Sequence, residues 1–165
     1  IKVNWTNVAK VLKLVATVIT TVLGTLAVQF VWVSKSVFVM KEMKLMKDVL
    51  YIVVHCSATR ASKRWTVEDI DRLHRAKNWA MIGYHWVIYQ DGSIHEGRNE
   101  KYAGAHVRHY NEHAIGVCYI GGINDKGRND DTRTPEQKAA LWFLLEDLKR
   151  SYPKAKIIGH RDFPN

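Results

Sequence analysis

Two histidines, His55 and His160, follow short apolar runs in this sequence, residues 51–54 and 155–158. Runs of this kind predict short buried strands. If the two strands are neighbours and end at the same edge of one sheet, both imidazoles meet there, and neutral imidazole is a common zinc ligand. A catalytic zinc also needs a third protein ligand and an open position for water. The two histidines alone therefore do not exclude a simpler role, in which each only caps the end of its strand.

The elements around these histidines alternate between strands and helices. Thr66 and Thr134 are predicted helix caps, the second followed directly by a proline. Asp91-Gly92 predicts a hairpin with a two-residue turn, and residues 114–120 predict a second apolar strand. We therefore expect an α/β domain over residues 47–165, with a single mixed β-sheet flanked by helices.

Short motifs along this domain, taken together and in order, resemble the zinc-dependent N-acetylmuramoyl-L-alanine amidases. That family includes phage amidase-type lysozymes and the peptidoglycan recognition proteins, and the resemblance covers residues 51–160. The motifs are Val53-Val54-His55-Cys56-Ser57-Ala58-Thr59, Gly83-Tyr84-His85, Asp91-Gly92, Gly97-Arg98, Gly104-Ala105-His106, Asn111, Ile115-Gly116-Val117-Cys118 and Gly121-Gly122.

The resemblance implies a role for each matching residue. His55 and His160 match the two zinc-binding histidines, and Tyr84 matches the tyrosine beside the metal, whose hydroxyl can hydrogen-bond the substrate carbonyl or oxyanion. His106 matches a position that lines the substrate cleft. The implied reaction is hydrolysis of the amide between N-acetylmuramic acid and L-alanine of peptidoglycan, with Zn²⁺ as cofactor. Apart from the resemblance, Arg98 could bind a stem-peptide carboxylate or form a surface ion pair.

One family feature is missing from this sequence. The family's third zinc ligand is a cysteine shortly after the second histidine, and this sequence reaches Asn165 before such a cysteine, so we expect a C-terminally truncated site. Asp162 is a substitute ligand of uncertain reach. Cys56 is expected on the opposite face of its strand from His55, and Cys118 in the core. A peptidoglycan-binding module that does not cut its ligand is therefore the alternative function.

Residues 1–46 are expected to lie outside the domain. Residues 14–34 carry no charge, and their Thr and Gly residues fall on one side of a predicted hydrophobic helix. The segment could be a membrane anchor, a signal peptide with a cleavage site near Thr25-Leu26-Ala27, or an upstream peptide fused to the domain. Membrane association or a holin-like activity through residues 11–33 is thus a further alternative.

The formal net charge of +9 suits an anionic partner such as the bacterial wall. Six of the 25 basic residues but only one of the 16 acidic residues lie in residues 1–46, so the domain itself is only modestly basic. It contains no basic run or nucleic-acid motif, and we expect no nucleic-acid partner. The expected site of action is the bacterial cell wall, reached by a membrane-tethered or secreted protein, or by a cytoplasmic phage lysin released at lysis.

Overall fold

A five-stranded mixed sheet runs through the part of the chain that the computed structural model describes, residues 43–163. A two-stranded parallel sheet and two α-helices accompany it. In chain order the elements are β1 (Tyr51–Cys56), β2 (Thr59–Arg60), α1 (Val67–Ala76), β3 (Trp86–Ile88), β4 (Ile94–Glu96), β5 (Ala114–Tyr119), β6 (Gly122–Ile123), α2 (Pro135–Ser151) and β7 (Lys156–Gly159), with short 3₁₀ turns at Asn111–His113 and His160–Asp162.

The order of strands in the main sheet is β4-β3-β5-β1-β7. The three pairings among β3, β5, β1 and β7 are parallel, and only β4 pairs in the antiparallel direction. Adjacent apolar residues are buried in both β1 and β5, Ile52 and Val53 in the first and Ala114 to Cys118 in the second, as expected for strands covered on both faces. The predicted mixed sheet flanked by helices is confirmed.

Both helices begin where the sequence predicts, and for the predicted reason. Thr66 caps α1, and its hydroxyl accepts from the backbone N–H of Asp69 at 3.4 Å. Thr134 caps α2 in the same way, accepting from the N–H of Gln137 at 3.0 Å. Each threonine is part of a capping box, in which the side chain of the third helical residue accepts from the backbone N–H of the threonine. Two backbone N–H groups that would otherwise lack a partner are therefore satisfied at each helix start.

The helices divide the interior into two layers. On one face of the sheet, Leu141, Leu144 and Leu148 of α2 pack with sheet residues that include Ile52 and Ile115. On the other face, a cluster around α1 contains Ile70, Ile82, Val87 and Ile120. Side chains alternate along β1, so His55 lies on the face of Val53, opposite the layer that contains Ile52.

The turn between β3 and β4 is one residue longer than predicted. Gly92 donates its N–H to the carbonyl of Tyr89 and has a φ of +83°, while Tyr89 donates to the carbonyl of Ser93. Three residues, 90–92, therefore form the loop, with a left-handed glycine at its last position. The Asp91-Gly92 pair locates the hairpin correctly but does not determine the loop length, because the same dipeptide serves both kinds of turn.

The domain also begins earlier than predicted. The backbone of Lys44 accepts from the N–H of Ala103, Leu45 forms an antiparallel bridge with Tyr102, and Met46 donates to the carbonyl of Lys101. These residues belong to the compact unit that starts at Met43, not to the leading segment. Long-range backbone pairing of this kind has no local sequence signal.

The predicted hydrophobic helix, with residues 11–33, lies outside the described residues. Within residues 43–163, neither helix has the length and apolar character needed to cross a membrane.

Candidate functional site

His55 and His160 meet at one edge of the sheet, as the strand pattern predicts. β1 and β7 are parallel neighbours in which Val54 pairs with Gly159, so the next residue of each chain segment is a histidine. Their ring centroids are 4.7 Å apart. His55 is only 5% exposed, whereas His160 is exposed at the start of the 3₁₀ turn. The pair of histidines therefore has one side buried in the protein, at His55, and one side exposed to solvent, at His160.

The electrostatics of His55 favour the neutral imidazole. Burial disfavours its cation, nearby His160 adds to this, and the pKa of His55 falls from 6.5 to about 3. A neutral imidazole keeps a lone pair at one ring nitrogen, which is the form that binds a metal ion. The His55 ring is therefore neutral across the neutral pH range.

Tyr84 lies directly beside this pair. Its ring centroid is 5.1 Å from that of His55. Burial raises the pKa of Tyr84 far above its ordinary value, and the nearby thiols of Cys118 and Cys56 add to the effect. The phenol consequently keeps its proton at neutral pH and can donate a hydrogen bond.

His106 lies behind His55, away from the solvent side expected of a cleft-lining residue. It is 8% exposed, and its Nδ1 is 3.0 Å from Nε2 of His55. Its Nε2 is 3.1 Å from the carbonyl oxygen of Ala114. The resemblance correctly predicts that His106 lies near His55, but in the structure its ring faces the protein interior.

Arg98 is buried, at 5% exposure, and holds loop backbone together. Nε donates to the carbonyl of Ile82 at 2.9 Å, Nη1 to that of Ala103 at 2.6 Å, and Nη2 to that of Met81 at 3.2 Å. Neither the surface ion pair nor a free guanidinium facing substrate is observed. This geometry favours a structural role, because the donors already serve carbonyls that would otherwise be unpaired.

His85 supports the sheet beneath the site. It is fully buried, accepts from the N–H of Gly116 at Nδ1 (2.9 Å), and its Nε2 lies 3.0 Å from the carbonyl of Tyr102. Burial lowers the pKa of His85 to about 4. Cys118 is buried in β5, as predicted for a core thiol.

The described residues provide two of the donors that a zinc site needs. Among residues 43–163, no group of three or more His, Cys, Asp or Glu side chains is arranged to hold a metal ion. Asp162 is already engaged, since its Oδ2 accepts from the N–H of Gly159 at 2.8 Å. The neutral, buried imidazole of His55 beside His160 is nevertheless compatible with zinc binding, because imidazole nitrogen is a common zinc ligand.

Sequence reasoning missed the residues that make room for His106. A Cβ atom on Gly104 would lie 2.4 Å from Cδ2 of His106, and one on Gly116 would lie 2.7 Å from the same atom. An isolated glycine inside a strand, such as Gly116 in β5, often marks a close approach by another group. That signal was present, although it does not name the group that approaches.

Comparison with known proteins identifies the class to which this fold and site belong. The family model described as N-acetylmuramoyl-L-alanine amidase matches residues 45–165. The endolysin of Klebsiella phage KP32 is 41% identical over 116 residues, which are 70% of this chain and 77% of that protein. The chain belongs to the N-acetylmuramoyl-L-alanine amidase family, and it is an amidase of the peptidoglycan-hydrolase class.

Solved structures agree with this assignment. The N-acetylmuramoyl-L-alanine amidase LysC from Clostridium intestinale has a TM-score of 0.66 at 28% identity, covering 74% of this chain and 77% of that one. Drosophila PGRP-LB has a TM-score of 0.62 at 25% identity, covering 76% and 77% of the two chains. The similarity therefore extends to peptidoglycan recognition proteins.

Proposed function

We propose that this chain hydrolyses the amide between the lactyl group of N-acetylmuramic acid and L-alanine of the stem peptide, with zinc held by His55 and His160. The observation that carries the proposal is the pair of strand-end imidazoles, 4.7 Å apart, with the protonated Tyr84 beside them. When bound, zinc supplies a water of lowered pKa and polarises the scissile carbonyl.

The two histidines would have different tasks. His55 is buried and neutral, so it offers a lone pair without first losing a proton. His160 stands on the solvent side of the pair, which marks the side from which the wall would approach. The stem peptide would enter over His160, since His106 and β5 lie behind His55.

Tyr84 would donate its O–H to the oxygen that becomes negative as the amide carbon turns tetrahedral. A donor already in place stabilises this charge without reorganisation, and removing one such donor typically costs about 10²–10³ in kcat. Because its pKa is raised, Tyr84 remains a donor throughout the neutral range. It would not be the group that activates water.

A third protein donor would come from outside residues 43–163. Asp162 is a poor substitute because its carboxylate already closes the turn onto Gly159. Asp162→Asn should therefore leave zinc stoichiometry unchanged, while His55→Ala should reduce it. Zinc bound per chain, measured by atomic absorption after dialysis, separates the two variants.

The direct test is release of new N-terminal L-alanine from purified peptidoglycan. We expect release that a zinc chelator stops and added zinc restores, and that His55→Ala and Tyr84→Phe reduce. His95→Gln is the matched control, since His95 lies on β4 and stacks on Tyr89 away from the site. Release that persists in the chelator would exclude the zinc mechanism.

Peptidoglycan binding without cleavage is the second candidate, since the similarity extends to peptidoglycan recognition proteins. A folded protein that sediments with the wall but releases no L-alanine, even with added zinc, would establish it. In either case the proposed place of action is the bacterial cell wall, where a phage lysin would arrive at lysis.

A further inference from the structure

Three groups form a hydrogen-bonded line that ends at His55. The carbonyl oxygen of Ala114 lies 3.1 Å from Nε2 of His106. Nδ1 of His106 lies 3.0 Å from Nε2 of His55. All three residues are buried, so no exposed group competes for these bonds.

The donors and acceptors along this line follow from the chemistry of its inner end. A carbonyl oxygen only accepts, so Nε2 of His106 must carry a hydrogen. In a neutral imidazole the other nitrogen then has a lone pair, and Nδ1 of His106 must accept. Nε2 of His55 is consequently the donor, and Nδ1 of His55 is left with the free lone pair.

The charge state of His106 agrees with this assignment. His106 is 8% exposed and its ring contacts an imidazole and a carbonyl but no carboxylate, so a cation there would be buried without an opposite charge. A protonated His106 would carry a hydrogen on Nδ1 as well as on Nε2, so Nδ1 would donate to His55 and the direction of that bond would reverse. The neutral ring allows one arrangement of hydrogens only.

The fold holds the ring of His106 in a fitted space. Any larger residue at Gly104 or Gly116 would collide with the ring, because a Cβ atom there would lie 2.4 Å or 2.7 Å from Cδ2. The backbone N–H of His106 donates to Oδ1 of Asn111 at 2.8 Å, and the next N–H, of Val107, donates to the same oxygen at 2.9 Å. The ring of His106 is thus held by close packing, and its backbone by hydrogen bonds to Asn111.

We propose that His106 is a positioning residue that selects the Nε2–H tautomer of His55 and so presents Nδ1 of His55 as the metal-binding atom. This differs from contact with substrate, the role expected from the sequence. The tautomer assignment stands on the geometry alone, whereas its purpose, metal binding, rests on the proposed function. Partners of this kind orient a ligating histidine and raise its basicity.

The tautomers can be read directly by long-range ¹H–¹⁵N NMR of the imidazole rings in the unmodified chain, with chelator present at pH 8. We expect His106 and His55 both to be Nε2–H tautomers, with a pyridine-type ¹⁵N shift at Nδ1. An Nδ1–H tautomer at either ring would overturn the proposal. Because no metal or substrate is involved, the result stands even if the amidase or zinc proposal fails.

A pair of variants then tests the consequence for metal binding. His106→Leu removes the acceptor, whereas His106→Asn keeps an oxygen near the position of Nδ1. We expect zinc affinity, measured by competition with a chromophoric chelator, to fall about 10–100-fold for the leucine variant and to be partly restored by asparagine.

Unchanged zinc affinity in a folded leucine variant would refute the positioning role. If that variant fails to fold, or if the chain retains no zinc, the NMR measurement on the unmodified chain decides the tautomer by itself. In the His106→Asn variant, His55 should keep its Nε2–H tautomer, and a switch to Nδ1–H would count against the proposal.

Discussion

Mild acid should destabilise the metal-free protein, and the buried histidines determine by how much. The pKa of His55 falls from 6.5 to about 3 because burial disfavours its cation, and that of His85 falls to about 4 for the same main reason. Above pH 6.5 both rings are neutral in the folded and unfolded chain, and they contribute no pH dependence. Below pH 6.5 the unfolded chain binds protons that the folded chain does not, so the free energy of unfolding decreases with pH.

The size of the effect follows from the shifts. Between pH 8 and pH 5, a histidine of unfolded pKa 6.5 and folded pKa about 3 lowers the free energy of unfolding by about 2 kcal/mol. His85 contributes a similar amount, and the two together about 4 kcal/mol, to which His106 adds because burial also lowers its pKa well below 6.5. The loss ends as pH approaches the folded pKa values. Since domains of this kind are stable by about 5–15 kcal/mol, it should be easy to observe.

Urea unfolding at pH 8 and pH 5, with chelator present, measures this difference. His55→Gln should remove about 2 kcal/mol of the pH dependence. Tyr84→Phe is the matched control, because it changes the same site without removing a histidine, and it should keep the full dependence. A wild-type free energy of unfolding that is equal at the two pH values would refute the reasoning, as would an NMR titration of His55 with its midpoint near pH 6.5.

Three further substitutions test the structure around the site. Tyr84→Phe should lower L-alanine release about 10²–10³-fold while zinc affinity stays the same, and a parallel loss of zinc would contradict its role as oxyanion donor. Arg98→Met should lower the free energy of unfolding by about 2–4 kcal/mol in urea, because buried carbonyls lose charged donors, and an unchanged value would contradict the structural role. Gln137→Ala should lower the free energy of unfolding by about 2–3 kcal/mol, because Gln137 closes the α2 capping box and donates to the carbonyls of Ile88 and Ile120. Wild-type stability in this variant would show that water replaces these bonds.

Much of the fold follows from local sequence signals. The caps at Thr66 and Thr134 use side chains within three residues of the bonds that they make, so their geometry is already present in the sequence pattern. The apolar runs before His55 and Gly159 predict buried strands, and the parallel pairing of those strands brings His55 and His160 together. The two proposed zinc-binding histidines were therefore identifiable from the sequence.

The inner part of the site depends on contacts between distant segments. His106 lies 51 residues from His55, and nothing near either residue states which ring nitrogen faces the other. Arg98 illustrates the same limit, since a glycine-arginine pair is compatible with a surface position, and only the fold places three carbonyls around the guanidinium.

Sequence by itself thus determined the fold class, the amidase resemblance and the two histidines at the strand ends, because strand patterns and helix caps are local. The tertiary structure alone decided that His106 contacts His55 from the buried side and that Arg98 holds backbone together. It did so because burial and hydrogen-bond direction are set by segments that meet only after the chain has folded.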